Sequence, residues 1–148
     1  MVAHKLKDNL FFEKIGNVIY RQKETDEILS SVISSDKFPC EINLKIQVDL
    51  FNIKIDTEYM LVIVSMDEKL DSDYLVVSKF VSKKDNMLLN IDNNKFGNMV
   101  IYYDAVLNSE IPKHKVLNCM LIEVSNAGNV LDDNYTYLTF ASEVILDE

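Results

Sequence analysis

Residues 41–50, with the sequence EINLKIQVDL, constrain the fold more than any other part of this chain. Apolar and polar residues alternate without a break over these ten positions. A β-strand points successive side chains to opposite faces, so the segment predicts a strand with one apolar face. That face must be covered while the other can contact water, which is typical of an antiparallel sheet. The apolar positions are Ile42, Leu44, Ile46, Val48 and Leu50.

Further strand signals follow at short, even spacing, separated by turns rich in Asn and Asp. Residues 59–66 (YMLVIVSM) are apolar on both faces and predict a central strand buried on both sides, whereas residues 125–134 predict a long loop. This spacing predicts an all-β fold, an antiparallel β-sandwich of about eight or nine strands, with an antiparallel barrel as the alternative. We expect one domain over residues 9–147, preceded by a flexible tail at 1–8. The other predicted strands cover about 10–20, 74–81, 87–91, 98–107, 116–124 and 135–140, with the last one extending at most to 146.

Residues 27–35 (EILSSVISS) are ambiguous between a short helix and a strand. Their β-branched residues and serines favour a strand, and the simplest pairing is a hairpin back onto residues 17–21. Two irregularities are also expected. Gly16 indicates a bend or bulge, and a one-residue shift of the apolar phase after Leu50 indicates a bulge near residues 50–52.

Phe38, Pro39 and the hydrophobic spacing over roughly residues 16–66 form a distinctive pattern in the N-terminal part of the chain. In these features the chain resembles a family of small bacterial and phage β-sandwich domains that have no established activity. Members begin with a hairpin, pass through a Phe-Pro corner and continue as a sandwich. The resemblance implies the fold, and no functional residue is carried over from it.

The chain is strongly acidic, with a formal net charge of −9 from 24 acidic and 15 basic residues. This charge disfavours a phosphate-binding nucleic-acid surface and an anionic membrane as partners. The sequence contains no run of about 18 apolar residues that could span a membrane, and the first residues do not resemble a signal peptide. Two cysteines, Cys40 and Cys119, are too few for a disulfide-built secreted domain. We therefore expect a cytoplasmic protein with reduced thiols, and sequence leaves open whether the two cysteines pair.

Residues that could bind metal or perform catalysis are sparse. Residues 92–97 (DNNKFG) partly match a calcium loop, but aromatic residues occupy two of the ligand positions. Carboxylates in residues 67–73 could bind calcium only if they converged. His4 and His114 are isolated, and the sequence has no close cysteine pair for zinc and no glycine-rich phosphate loop. We expect no metal, no cofactor and no catalytic set.

These observations favour a non-enzymatic, intracellular protein-interaction module with a basic partner. One version is an inhibitor from a phage or other mobile element that presents acidic residues to a basic nucleic-acid-binding protein. The alternatives are a small-ligand-binding barrel, indicated only by Asn118 among apolar neighbours, and an enzyme that uses His114 with a nearby carboxylate or thiol. The oligomeric state is left open. Loop carboxylates are the expected partner-binding residues, because side chains on loops are free to meet a partner: Asp67, Asp71, Asp73, Asp132 and Asp133.

A pair of neighbouring substitutions tests the predicted faces of the strand at 41–50. Ile46→Asp should prevent folding, because it buries an unpaired charge on the covered face. Gln47→Asp should be tolerated, because position 47 lies on the opposite face. Circular dichroism and thermal melts of the two variants measure the difference. Equally mild effects would contradict the assignment of faces.

Overall fold

A computed structural model describes residues 6–91, 93, 95–126 and 129–142. These residues form nine β-strands in two sheets that pack face to face, so the predicted antiparallel β-sandwich is confirmed. Short 3₁₀ turns at Lys84–Asn86 and Val124–Asn126 are the only helical segments in this part of the chain. Among the described residues, no helix has the length and apolar character needed to cross a membrane. The strands are β1 (Lys14–Gln22), β2 (Val32–Ser35), β3 (Cys40–Lys54), β4 (Glu58–Asp67), β5 (Ser72–Val81), β6 (Leu89–Ile91), β7 (Phe96–Ser109), β8 (Lys113–Glu123) and β9 (Val130–Ser142).

The first sheet, sheet A, has the strand order β1-β3-β7-β6 and is antiparallel throughout. The strand predicted from the alternating pattern is β3, and it lies between β1 and β7. Ile46 is paired with Tyr20 on one side and with Tyr103 on the other. Leu44, Ile46 and Val48 are fully buried, which confirms the predicted apolar face.

The second sheet, sheet B, has the order β2-β9-β8-β4-β5. All its pairs are antiparallel except β2 with β9, which is parallel. The hydrophobic core lies between the inner faces of the two sheets. Its residues from sheet B include Leu61, Ile63, Leu117, Leu121 and Phe140, each almost completely buried.

Both predicted irregularities are present. The pairing of β1 with β3 shifts between Ile15 and Asn17, at Gly16. The pairing of β3 with β7 shifts between Leu50 and Ile53. At the second site Asn52 has a positive φ of 51°, and its side-chain amide donates a 2.7 Å hydrogen bond to the carbonyl of Phe11. An asparagine suits this position because it tolerates positive φ and supplies its own hydrogen bonds.

The expected pairing of residues 27–35 is wrong. The segment contains no helix, but only Val32–Ser35 forms a strand, and it joins β9 of sheet B in parallel rather than β1. A single antiparallel bridge between Arg21 and Ile28 is all that remains of the predicted hairpin. The chain therefore crosses from one sheet to the other between Ile28 and Val32. Further on, the Phe38–Pro39 peptide bond is cis.

Two other boundaries differ from the prediction. The residues expected to form a loop over 125–134 include the first five residues of β9, which begins at Val130 and pairs with β8. The expected strand at 87–91 is shorter and covers Leu89–Ile91. Residues 1–5 of the expected tail lie outside the described residues, as do residues 143–148. Lys7, also in the expected tail, contacts β9 through Asp132.

Candidate functional site

A groove with a volume of about 750 Å³ lies at one end of the sandwich. Three parts of the chain meet there: the β4–β5 loop, the turn between β7 and β8, and the last residues of β9. Apolar side chains form part of the groove, and charged side chains from the loop and from the start of β8 line the rest of it. The apolar residues are Ile111, Pro112, Phe140 and Ala141, and the charged ones are Asp67, Glu68, Lys69, Asp71 and Lys113.

Asp67 organises the wall formed by the β4–β5 loop. One carboxylate oxygen, Oδ1, accepts hydrogen bonds from the backbone N–H groups of Lys69 (2.9 Å) and Asp71 (3.1 Å). The other, Oδ2, accepts a 3.0 Å hydrogen bond from Lys113 Nζ at the start of β8. The Lys113 ammonium and the two backbone donors lower the pKa of Asp67, because they stabilise its charged form. These bonds stabilise the loop above the normal pKa of an aspartate, and their contribution is lost as the pH falls through the lowered value.

His114 lies where the groove meets the outer face of sheet B. Its Nδ1 atom is 2.7 Å from the Thr139 hydroxyl on β9, and its Nε2 atom is 4.0 Å from a carboxylate oxygen of Glu68. The side chain is 70 % exposed. An imidazole between a hydroxyl and a carboxylate, at the edge of a groove, is an arrangement from which acid–base chemistry can start.

The five predicted partner-binding carboxylates do not form one cluster. Asp67, Asp71 and Asp73 lie at the groove end of the sandwich, and Asp71 and Asp73 are exposed. Asp132 and Asp133 lie on β9 towards the opposite end, where β9 pairs with Leu121 and Met120 of β8. Asp133 is half-buried, and its charge raises the pKa of the neighbouring Tyr135.

Asp132 is not the exposed loop residue that the prediction required. Its side chain is 4 % exposed and joins the two sheets at one margin of the sandwich. Oδ2 accepts a 2.8 Å hydrogen bond from the backbone N–H of Ile15 on β1, and Oδ1 is 2.9 Å from Lys7 Nζ. Lys14 donates a further bond to the backbone carbonyl of Leu131. Both oxygens of the Asp132 carboxylate are therefore bonded within the fold, so Asp132 is not a candidate for partner binding.

The candidate metal and nucleophile positions gain no support. Asp92 and Asn94 of the calcium-like loop lie outside the described residues, and within the described ranges no three His, Cys, Asp or Glu side chains form a group suited to a metal ion. Both cysteines are free thiols. Cys119 faces the core, where burial raises its pKa to about 12, so its thiol stays protonated at neutral pH.

Lys115 is a residue of this region that the sequence did not single out. Its side chain points between the sheets and is 8 % exposed, and Nζ donates a 2.7 Å hydrogen bond to the carbonyl of Asn108. Burial, and then the nearby Lys113 charge, lower its pKa. The sequence does contain a signal for this position. Lys115 is separated from Leu117, Cys119 and Leu121 by even numbers of residues, so a β-strand places all four side chains on the same face.

The outer face of sheet B is apolar, in agreement with the prediction that residues 59–66 are apolar on both faces. The outward-facing residues of β4 and β8 are almost all aliphatic or Met, and no third layer of the described chain covers them. We call this surface the apolar face. Its two central strands contribute Met60, Val62, Val64, Met66, Val116, Asn118, Met120 and Ile122, and its two margins contribute Tyr74 and Val77 from β5 and Tyr135 and Tyr137 from β9.

Asn118 is the polar residue at the centre of this face. It pairs with Val64 on one side and Tyr135 on the other, and its alternation with the buried Leu117 and Cys119 points it outward. The one residue that suggested a ligand-binding lumen therefore points away from the space between the sheets. Its Oδ1 atom is buried and has no hydrogen-bond partner among the described residues.

Comparisons with known proteins leave the family open. No protein-family model matches the sequence, and no curated protein matches it. Two solved structures resemble it weakly at 8 % identity: the Pseudomonas fluorescens alkylpurine DNA glycosylase AlkC bound to DNA containing an abasic site analog (TM-score 0.43) and Bifidobacterium dentium beta-glucuronidase complexed with coumarin-3-O-glucuronide (TM-score 0.42). The matches cover 86 % and 87 % of this chain but only 30 % and 18 % of the two proteins. Similarity at this level carries no argument about function, and the resemblance to bacterial and phage sandwich domains stays a prediction.

The role assigned to Asp132 can be tested by its removal. Asp132→Ala leaves the buried N–H of Ile15 without an acceptor and should lower the free energy of unfolding by about 1–3 kcal/mol. Asp71→Asn, at an exposed carboxylate, is the matched control and should change it by less than about 0.5 kcal/mol. Urea unfolding of both variants measures the difference. Equal stability of the two would show that the Asp132 contact does not join the sheets.

Proposed function

We propose that this protein is a non-enzymatic interaction module that binds a basic protein partner at the groove end of the sandwich. The observation that carries the proposal is the composition of the groove, in which the exposed apolar residues Ile111 and Pro112 lie beside exposed carboxylates. Such a groove suits a segment that combines apolar and basic side chains. Asp73 and Glu110 add two exposed carboxylates in the adjoining notch between β5 and β7.

The carboxylates at the groove end differ in the hydrogen bonds and ion pairs that they form within the protein. Asp67 is held by Lys113 and the loop backbone, so it shapes the groove rather than meeting a partner. Glu68, Asp71 and Asp73 are exposed, and among the described residues their only ion pair is the long 4.0 Å contact of Glu68 with His114. These three are the proposed partner-binding carboxylates at this end.

The overall charge supports the same proposal. A net charge of −9 attracts basic molecules over a distance and speeds their association, and salt screens this effect. A basic nucleic-acid-binding protein is the partner class that such a surface suits, and an inhibitor from a phage or other mobile element remains one version of the role. The proposal includes a cytoplasmic location, which the two free thiols support.

Charge neutralisation at the groove tests this function. The triple variant Glu68→Gln, Asp71→Asn, Asp73→Asn should weaken binding to the basic partner recovered by pull-down roughly tenfold, because electrostatic attraction sets much of the association rate. Association of the wild type should slow as salt rises from about 50 to 500 mM, since the Debye length shortens. Surface plasmon resonance measures both effects.

The matched control neutralises three exposed carboxylates elsewhere, in the variant Glu27→Gln, Asp56→Asn, Asp85→Asn. It changes the net charge equally but leaves the groove intact. Weaker binding in the groove variant alone supports the groove as the site. Equal losses in both variants would indicate net charge rather than the groove, and salt-independent binding would refute the electrostatic mechanism.

A second candidate function is acid–base catalysis at His114, favoured by its position between Thr139 and Glu68. Hydrolysis of chromogenic ester substrates by the wild type measures it. If the function were catalytic, His114→Ala and Glu68→Gln would both abolish hydrolysis. Activity that survives His114→Ala, or no activity in the wild type, would contradict this candidate.

A further inference from the structure

The outer faces of the two sheets differ sharply in composition. The outer face of sheet A carries Lys45, Gln47 and Asp49 on its central strand β3, as expected of a surface in contact with water. At the corresponding positions of sheet B, β4 and β8 carry the Val, Met and Ile residues of the apolar face. Because soluble proteins rarely expose a contiguous apolar patch of more than a few hundred Å², such a patch commonly marks an interface.

The most exposed residues of the apolar face lie on its two margins. Tyr74 and Tyr137 are each 72 % exposed, and Val77 is 60 % exposed. Tyr135 stacks beside Tyr137, with ring centroids 6.5 Å apart. Exposed tyrosine around an apolar centre is typical of protein–protein interfaces.

We infer that the apolar face is the interface of a symmetric homodimer, in which two copies of sheet B pack face to face. A second copy supplies what the face lacks: a surface of matching composition and twist, as sheet-on-sheet packing requires. Basic or acidic partners are poorly suited to this surface, because β4 and β8 present no charged side chain in its centre. This inference concerns a surface distinct from the proposed partner groove.

The charges at the margins favour self-pairing. Lys79 lies on β5 beside Met60, and Asp133 lies on β9 beside Met120, so opposite charges mark opposite margins of the same face. A two-fold axis along the strands, between β8 and β4, places the β9 margin of one copy on the β5 margin of the other. Each Asp133 then lies opposite Val77 of the second copy, two residues from Lys79 along β5, and each Tyr135 lies opposite Tyr74.

The centre of the face also fits this symmetry. Asn118 is the only polar residue that β4 and β8 direct into the apolar centre, and its Oδ1 has no partner among the described residues. The Oδ1 atom is already buried within one copy, so Asn118 marks the middle of the face, where an axis between β8 and β4 brings the two Asn118 residues closest together. A buried polar residue of this kind commonly fixes the register of an assembly.

The size of the face is adequate for a stable dimer of moderate affinity. Four strands about 4.8 Å apart and about eight residues long give a flat area on the order of 500 Å². Projecting tyrosine and methionine side chains bring the accessible area towards the ~800 Å² per partner of a standard interface.

A charge placed on the apolar face tests the inference. Val77→Glu introduces a carboxylate at an exposed position, opposite the Asp133 margin of the second copy, and should convert the dimer to a monomer. Val106→Glu is the matched control, because Val106 is a 43 % exposed valine on the outer face of sheet A. Analytical ultracentrifugation over roughly 1–500 µM protein measures the mass, and circular dichroism checks that both variants are folded.

The expected result is a concentration-dependent dimer for the wild type and Val106→Glu, and a monomer for Val77→Glu. Lys79→Glu should weaken the dimer at least severalfold, and the double variant Lys79→Glu, Asp133→Lys should restore it, because the charges are exchanged across the axis. The dimer should persist at 0.5 M salt, where binding of the basic partner at the groove is weakened.

Two results would overturn the inference. A monomeric wild type at 500 µM would show that a second copy does not cover the face, and a wild-type dimer unaffected by Val77→Glu would place the contact elsewhere. Neither result bears on the groove, whose own test is the loss of partner binding in the groove triple variant. The two proposals can therefore fail independently.

Discussion

The burial of the apolar face of β3 is the constraint on which the rest of the sandwich depends. Leu44, Ile46 and Val48 are removed from water only because β1 and β7 flank the strand and sheet B covers it. Each side chain of this kind contributes about 1.5–3 kcal/mol when fully buried, before the entropy of ordering the chain is counted. A second sheet is therefore required, and its strands must present an apolar face of their own.

The parts of the fold that could be predicted are those encoded by local pattern. The alternation of apolar and polar residues predicted β3, because the period of two that defines a strand depends only on the residues of that strand. Gly16 and the phase shift after Leu50 indicated the two bulges in the same local way. Pairing is not local. Nothing within residues 32–35 indicates that they add to β9 in parallel, because their partner lies more than a hundred residues away. The polar start of β9 likewise has the composition of a loop, because the buried Asp132 and the half-buried Asp133 are of a residue type common in turns.

The charged residues of the candidate site show the same contrast between what the local sequence indicates and what only tertiary structure determines. Sequence identifies a carboxylate but not the donors around it, and Asp67, Asp71 and Asp132 are alike in that respect. In the structure Asp71 is exposed, Asp67 shapes a loop through Lys113, and Asp132 joins the two sheets through Ile15. Only tertiary structure separates a carboxylate that holds the fold together from one that is free to meet a partner. The five predicted carboxylates therefore do not form one electrostatic surface.

The two apolar sides of β4 were visible in the sequence, and the strand was correctly predicted to be central. The prediction that it is buried on both sides is confirmed for its middle, residues 61–65. In the described residues sheet A covers one side, and on the other Val62 and Val64 are only 5 % and 7 % exposed although no further layer lies over them. An apolar pattern on one face of a strand indicates that this face is covered, but it does not indicate which molecule covers it. The two proposals are compatible in one acidic chain. In them, its charge directs basic partners to the groove, while the uncharged centre of the apolar face lets two equally acidic copies meet where their repulsion is smallest.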